Sequence, residues 1–266
     1  MSSQAELDAN LRRMTDLVGA AATRGATIVL LPENFARVGD EEGKRAIAES
    51  LTDSPSPSAP DGAIVAALRS AARVSAVWLI AGGFPEKSED PLRPYNTCAV
   101  FSPTGHVTAR YRKLHLFDVD VGDGVTYRES AATCAGALPV VAEVGPLRIG
   151  LSVCYDLRFP ELYRRLVDDG AQVLIVPAAF TLATGKDHWH VLLRARAIES
   201  QCFMVAAAQC GRHGTRMTYG KSCVIDPWGD VIAQASEGEG VVTADVDLEY
   251  LEQVRARLPS LRHRVL

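Results

Sequence analysis

Leu7, Leu11, Met14, Val18 and Ala21 recur every three or four residues through QAELDANLRRMTDLVGAAAT (4–23), the spacing of a helix with one apolar face. Gly25 follows as a C-terminal cap, and ATIVLLPEN then reads as a buried strand. The alternation repeats along the chain. A helix around 61–74 leads into the strand VWLIAGGF, and polar turns set off the strands TCAVFSP and HVTARYRKL. PLRIGLSVC is a strand, FPELYRRLVDDG a helix closed by Gly170, AQVLIVPAAF a strand and HWHVLLRARAIESQ a helix. FMVAAAQCG, SCVIDPWGDVIAQA and GVVTADVDL supply the last strands. Helices alternating with apolar strands predict an α/β fold in which helices cover the sheet faces. No clear linker interrupts the pattern, and the Ser/Pro stretch DSPSPSAP (53–60) reads as a surface loop.

Composition narrows the setting. With 47% apolar and 23% charged residues among 266, the chain can bury a sizeable core. Its net charge of −4 argues against a basic nucleic-acid footprint. No apolar run approaches the ~20 residues that span a bilayer, and MSSQAELDANLRRM lacks a signal core. The cysteines at 98, 134, 154, 202, 210 and 223 lack C-x-x-C pairing. That spacing argues against a zinc site or disulfide framework and fits a reduced cytoplasmic setting. His188 and His190 stand two apart on a helix, face different directions and make a poor metal pair.

Open α/β sheets bind ligands beyond the carboxyl ends of their strands. Three polar residues stand there: Glu33 after TIVLLP, Lys113 after VTARYR and Cys154 after LRIGLSV. Cys154 lies between an apolar strand and YDLRFPELYRRL, which begins a helix. N–H groups at a helix start favour thiolate, and a strand-to-helix turn can aim amides at an oxyanion. A buried structural cysteine fits the position equally well. The other five cysteines read as structural. Glutamates after strands are commonly solvated loop charges or caps, but Pro32 and the apolar run would set Glu33 near the buried sheet end. Desolvation there would raise its pKa toward general-base work. Lys113, in RYRKLHLFD, reads alone as an edge-strand surface charge; a catalytic role would set its ammonium against the oxyanion of a tetrahedral intermediate. His213 reads as a solvated loop residue.

LPENF around Glu33, YRKLHLFD around Lys113 and GLSVCYDLRFPELYR around Cys154 occur in that order. They resemble the three signature segments of the nitrilase superfamily of carbon–nitrogen hydrolases, and the resemblance runs through essentially the whole chain. It implies one hydrolase domain over residues 1–266, a four-layer αββα sandwich and a Glu33–Lys113–Cys154 triad. It also implies no metal or organic cofactor, a small-molecule amide substrate, no nucleic-acid or membrane partner, and a homodimer. A second family glutamate matches Glu129 in YRES, which otherwise reads as a loop charge. VPAAFTLATGKDHWHVLLRARAIESQCFMVAAAQCGRH, TYGKSCVIDPWG and LPSLRHR resemble the deaminated glutathione amidase branch. That branch implies cleavage of the amide joining an α-ketoglutaryl group to Cys-Gly. The related ω-amidases, acting on α-keto dicarboxylate monoamides such as α-ketoglutaramate, share the triad but resemble these stretches less. Lys221 stands where the branch commonly has histidine, and Asp187 where a small residue is common; both bear on substrate more than on reaction class.

In the implied mechanism Glu33 takes the Cys154 proton, the sulfur attacks the amide carbonyl, and Lys113 with the Tyr155 N–H meets the oxyanion. Water then releases the acid from a thioester. Arg158, just after the nucleophile, suits either a substrate carboxylate or a pair with Glu161. Phe180 and Thr181, after AQVLIVPAA, point at the same end of the sheet as candidate pocket residues.

Three other readings stay open at this level. A Cys–His thiol hydrolase would use His115, two residues after Lys113. A thiol redox sensor would need a resolving cysteine, which spacing does not nominate. A non-catalytic member of the fold would not need Glu33, Lys113 and Cys154 together. The resemblance also implies a short apolar strand ahead of the first helix, where this sequence opens at Met1-Ser2-Ser3. The expected sandwich therefore lacks its usual first strand, and the expected natural protein is longer by roughly ten residues, one strand with its entry.

Overall fold

The computed structural model describes residues 1–56, 60–122 and 126–265, so residues 57–59 of the expected Ser/Pro loop lie outside the described set. The first half contains α1 (Leu7–Thr23), β1 (Ile28–Leu30), α2 (Glu41–Ala46), α3 (Ala63–Ser75), β2 (Trp78–Glu86), β3 (Tyr95–Phe101) and β4 (Val107–Arg112). β5 (Asp118–Asp120), β6 (Thr126–Arg128), β7 (Val140–Val144), β8 (Leu147–Leu151), α4 (Pro160–Asp168), β9 (Val173–Ala178) and α5 (Leu182–Ser200) follow. The last elements are β10 (Phe203–Ala208), β11 (Cys210–His213), β12 (Arg216–Tyr219), β13 (Cys223–Ile225), β14 (Val231–Gln234) and α6 (Leu248–Arg257).

α1 buries Leu11, Met14, Val18 and Ala21, the stripe its periodicity predicts. It ends where Gly25 adopts φ +88°, a conformation that glycine enters without a Cβ clash. The turn closes with Ala26 N donating to Ala21 O, so a carbonyl of the last helical turn is satisfied.

Two sheets form the centre. One has the order β1-β2-β3-β4, the other β14-β13-β10-β9-β8-β7. β1 runs parallel to β2, as β8 and β10 do to β9, and the other pairs are antiparallel. Alternate side chains point to opposite faces of a strand. Leu79, Ala81, Ala99 and Phe101 accordingly pack with Met14, Val18, Leu68 and Ala72 of α1 and α3. Their neighbours Ile80, Cys98 and Val100 pack with Val144, Ile149, Leu151, Val173 and Ile175 of the second sheet. Tyr163, Leu166, Trp189 and Leu193 of α4 and α5 belong to the same core as the second sheet. The result is a four-layer αββα sandwich, the arrangement expected from the sequence. No described helix is long and apolar enough to cross a membrane.

Two expectations about elements are corrected. α5 starts six residues before HWHVLLRARAIESQ, because Thr181 caps it by accepting from Thr184 N. GVVTADVDL forms no strand; Gly240–Val246 instead lines a groove of about 640 Å³ opposite the outer edge of β1. Met1, Ile80, Val173, Ile175 and Val205 complete that groove. A strand needs a neighbour's ladder, and none lies between these two segments among the described residues. No described strand precedes α1.

Candidate active site

The carboxyl ends of strands from both sheets converge on one small volume. Glu33 lies three residues past β1, Lys113 directly follows β4, and Cys154 follows β8 by three residues. All three side chains are buried. Glu33 Oε1 accepts from Lys113 Nζ at 3.1 Å and from Asn96 Nδ2 at 2.9 Å. Its Oε2 accepts from the Ala179 N–H at 3.0 Å, just past β9. The Cys154 thiol is its remaining hydrogen-bond partner. Lys113 Nζ also donates to Glu129, at 2.8 and 3.0 Å, and Glu129 in turn accepts from Phe117 N at 2.7 Å. The structure thus brings Glu33, Lys113, Glu129 and Cys154 together.

β2 passes this cluster at Gly82 and Gly83, where its register with β3 shifts. A Cβ on Gly82 would lie 2.3 Å from Pro32 O, and one on Gly83 would lie 2.0 Å from Asn96 Oδ1. Glycine is required at 82 because the backbone leading to Glu33 rests on the strand, and at 83 because the Asn96 side chain does.

Cys154 itself has φ +50°, and residues Cys154–Arg158 form a 3₁₀ turn, so α4 begins only at Pro160. Asp156 fixes this turn from inside. Its fully buried carboxylate accepts from Val153 N at 2.8 Å, Tyr111 Oη at 2.7 Å and His115 N at 3.1 Å, and His115 Nδ1 lies 2.7 Å away. Tyr111 and His115 flank Lys113 in sequence, so one carboxylate ties the nucleophile turn to the segment carrying the ammonium. His115 is further held by stacking on Phe159, with ring centroids 3.7 Å apart. It is occupied with Asp156, whereas Glu33 faces the thiol.

The electrostatics correct two sequence expectations. Burial pulls the Glu33 pKa up more than any other single influence. Lys113's charge and hydrogen bonds from Cys154, Lys113 and Asn96 together outweigh it, and the carboxylate sits below its ordinary range. For Cys154 the expected thiolate does not hold. Burial, then the negative charge of Glu33, push the thiol well up, and the helix start that would have opposed this lies six residues away. Burial pulls Lys113 down, but the charges of Glu129 and Glu33 outweigh that and hold it well above its ordinary value. The site therefore rests as carboxylate, ammonium and neutral thiol.

The remaining candidates take distinct places. Tyr155 packs edge-on against Phe117 and Phe159. Phe180 is buried against Trp189, and Thr181 spends its hydroxyl on capping α5. Arg158 lies 5.2 Å from the Phe180 ring and faces His188 Nδ1 at 3.3 Å; it makes no ion pair with Glu161. His190 bonds Gln234 instead, so the two histidines point apart. Lys221 offers its carbonyl to the Trp189 ring N–H at 3.0 Å. His213 is buried, not solvated, with Ser3 O and Thr218 Oγ1 on its two nitrogens. All six cysteines are free, and burial pushes Cys202 up to about 11 and Cys223 to about 12. Asn96, Asp156 and the Ala179 N–H were not foreseen from sequence. The one available hint for Asn96 is a polar Asn-Thr pair at the start of an otherwise apolar strand.

The chain as a whole is similar to known proteins. The carbon–nitrogen hydrolase family model matches residues 1–256. The deaminated glutathione amidase of Synechocystis sp. (strain PCC 6803 / GT-S) is 45% identical, over 100% of this chain and 96% of that protein. The omega-amidase NIT2 of Xenopus tropicalis is 38% identical, over 96% of this chain and 89% of that protein. The crystal structure of the C. elegans NitFhit protein superposes with a TM-score of 0.90 at 39% identity, covering 100% of this chain and 63% of that one.

Proposed function

The chain belongs to the carbon–nitrogen hydrolase family and is an amidohydrolase, and on that premise we propose that Cys154 is its nucleophile and deaminated glutathione its substrate. The observation that carries the first half is the Cys154 thiol facing a carboxylate whose other positions are filled by Lys113, Asn96 and Ala179 N–H. Glu33 takes the thiol proton as sulfur adds to the amide carbonyl carbon. The oxyanion meets the Tyr155 N–H and one proton of Lys113, whose other two face Glu33 and Glu129. As the C–N bond breaks, Glu33 passes its proton to the leaving amine, and a thioester remains. Glu33 then takes a proton from water, whose oxygen adds to the thioester carbon. The C–S bond breaks, the thiolate recovers that proton, and the acid departs. Glu129 holds Lys113 in place.

The substrate half rests on the 45% identical relative that bears that name, against 38% for the omega-amidase. Arg158, on the turn after the nucleophile and without a carboxylate partner among the described residues, supplies a cation for the α-keto acid end. Phe180 and Tyr155 flank it as apolar walls. We take residues 1–266 as one domain, since the site draws on both sheets. Its six free thiols suit a reduced cytoplasmic setting, tested by cell fractionation. The exposed apolar residues Ile198, Trp228, Val231 and Ile232 support a homodimer.

A substrate panel tests the reading. Deaminated glutathione is expected to give α-ketoglutarate and Cys-Gly without ammonia, whereas α-ketoglutaramate gives α-ketoglutarate with ammonia. Cys154→Ala is expected to lower turnover more than ~1000-fold, as loss of a covalent nucleophile does elsewhere. Near-normal turnover by that variant sinks the mechanism, and turnover of α-ketoglutaramate alone sinks the substrate.

A further inference from the structure

Beyond the aromatic wall of the site lies a cavity of about 400 Å³ that the mechanism does not use. A run of ring contacts connects the two. Tyr155, next to Cys154, packs on Phe117 at 5.0 Å, and Phe117 packs on Tyr127 at 5.0 Å. Tyr127 is part of the cavity lining, and the Arg216 guanidinium lies 5.5 Å from that ring. Lys186 also lines the cavity, with Leu182 and Ala183 from the first turn of α5. A bridge between Thr181 and Thr218 ties the α5 cap to β12, the strand that starts at Arg216.

An exposed lysine, a half-buried arginine and the first turn of a nineteen-residue helix therefore line one cavity. Among the described residues neither Lys186 nor Arg216 has a carboxylate partner. Such a lining favours an anion, and a planar carboxylate matches the guanidinium fork. Arg158 stands apart from it, between Phe180 and Tyr155 and facing His188. The two cationic positions suit a substrate that carries acids at both ends of its scissile amide.

We propose that this cavity is the subsite for a carboxylate on the leaving-group half of the substrate, read by Lys186 and Arg216. The enzyme then selects amides whose amine side ends in an acid, as the glycine of Cys-Gly does. The proposal rests on the amide substrate of the preceding section. A neutral leaving group of the same length would leave both cations without a counter-charge and bind less tightly.

The test measures kcat/KM for α-ketoglutaryl-Cys-Gly, for its C-terminal carboxamide and for α-ketoglutaramate, whose leaving group is ammonia. The parent enzyme is expected to prefer the acid over the carboxamide by about 10- to 100-fold, the range for a hydrogen bond to a charged group. Arg216→Gln and Lys186→Gln are each expected to cut that preference by about tenfold through KM, and Arg216→Lys to restore part of it. Turnover of acid and carboxamide at equal kcat/KM by the parent overturns the subsite while leaving the amidase reading intact. Equal losses by the variants on all three substrates also overturn it, because they report general damage. If the parent turns over none of the three, the substrate reading and the subsite fall together.

Discussion

Cys154 holds φ at +50°, which costs a non-glycine residue ~1–3 kcal/mol and persists only where neighbours impose it. Asp156 is the neighbour that does so, through four contacts on its two oxygens. Asp156→Asn keeps the shape but removes the charge and sets an amide against donors. It is expected to lower kcat by about 10- to 100-fold with little change in KM, and to change the rate of Cys154 alkylation. An unchanged kcat would show that the turn holds itself. Glu33 adds a pH dependence. Its folded pKa lies below its ordinary 4.5, so below pH 4.5 the unfolded chain binds more protons than the native one. Its stabilisation is present above that value and is lost as pH falls through the folded pKa. Urea unfolding across this range is expected to show a shallower acid loss in Glu33→Gln than in the parent. Glu33, Lys113 and Cys154 were legible because each ends a strand and matches a family segment. Their charge states were not: Glu33's partners lie 63, 80 and 146 positions away, and no local pattern shows them meeting.

Elements were legible where apolar runs were long. TIVLLP, VWLIAGGF, PLRIGLSVC and AQVLIVPAAF all gave core strands, while β5, β6, β11 and β12 (DVD, TYR, CGRH and RMTY) are polar stretches with no apolar run to read. The Gly-Gly pair inside β2 drew no reading from sequence; the backbone leading to Glu33 lies against Gly82 and the Asn96 side chain against Gly83. Gly82→Ala places a methyl 2.3 Å from the Pro32 carbonyl, a backbone atom that must move. Turnover is expected to drop at least tenfold, with the melting temperature lowered by several degrees. Retention of both would show that the loop is free to shift. GVVTADVDL failed as a strand for a different reason, since its apolar alternation was present but its ladder partner was not. The groove beside it supplies a second test at this scale. An engineered extension of seven alternating apolar residues joined to Met1 would meet β1 on one side and Val241–Asp245 on the other. Burial of its inward side chains and ladder hydrogen bonds to both neighbours would together oppose the backbone entropy of ordering it. The melting temperature is expected to rise with this extension and not with a proline-interrupted one of equal length.

The whole molecule joins these parts through its layers. Glu33 and Lys113 hang from one sheet, Cys154 and Ala179 from the other, so the site exists only while the sheets stay docked. Loss of activity and loss of tertiary signal on heating are therefore expected to coincide in a single transition, as for one cooperative unit. α5 links the site to the outside. Its first turn lines the cationic cavity, and its last turn carries Ile198, which packs beneath Gly229 of the β13–β14 turn. Ile198, Trp228, Val231 and Ile232 are each 40% exposed or more, an apolar area on a molecule whose net charge is only −4. Arg194 fixes the turn by donating to Gly229 O at 2.7 Å, so Trp228 stands on a braced turn beside Ile198. An exposed tryptophan on such a turn suits a two-fold contact. A negative charge there would then sit at the contact in both protomers. Sedimentation of the parent chain at micromolar concentration is expected to give a dimer, and Trp228→Glu a monomer that keeps its circular dichroism. A parent chain that sediments as a monomer would remove the patch as an interface.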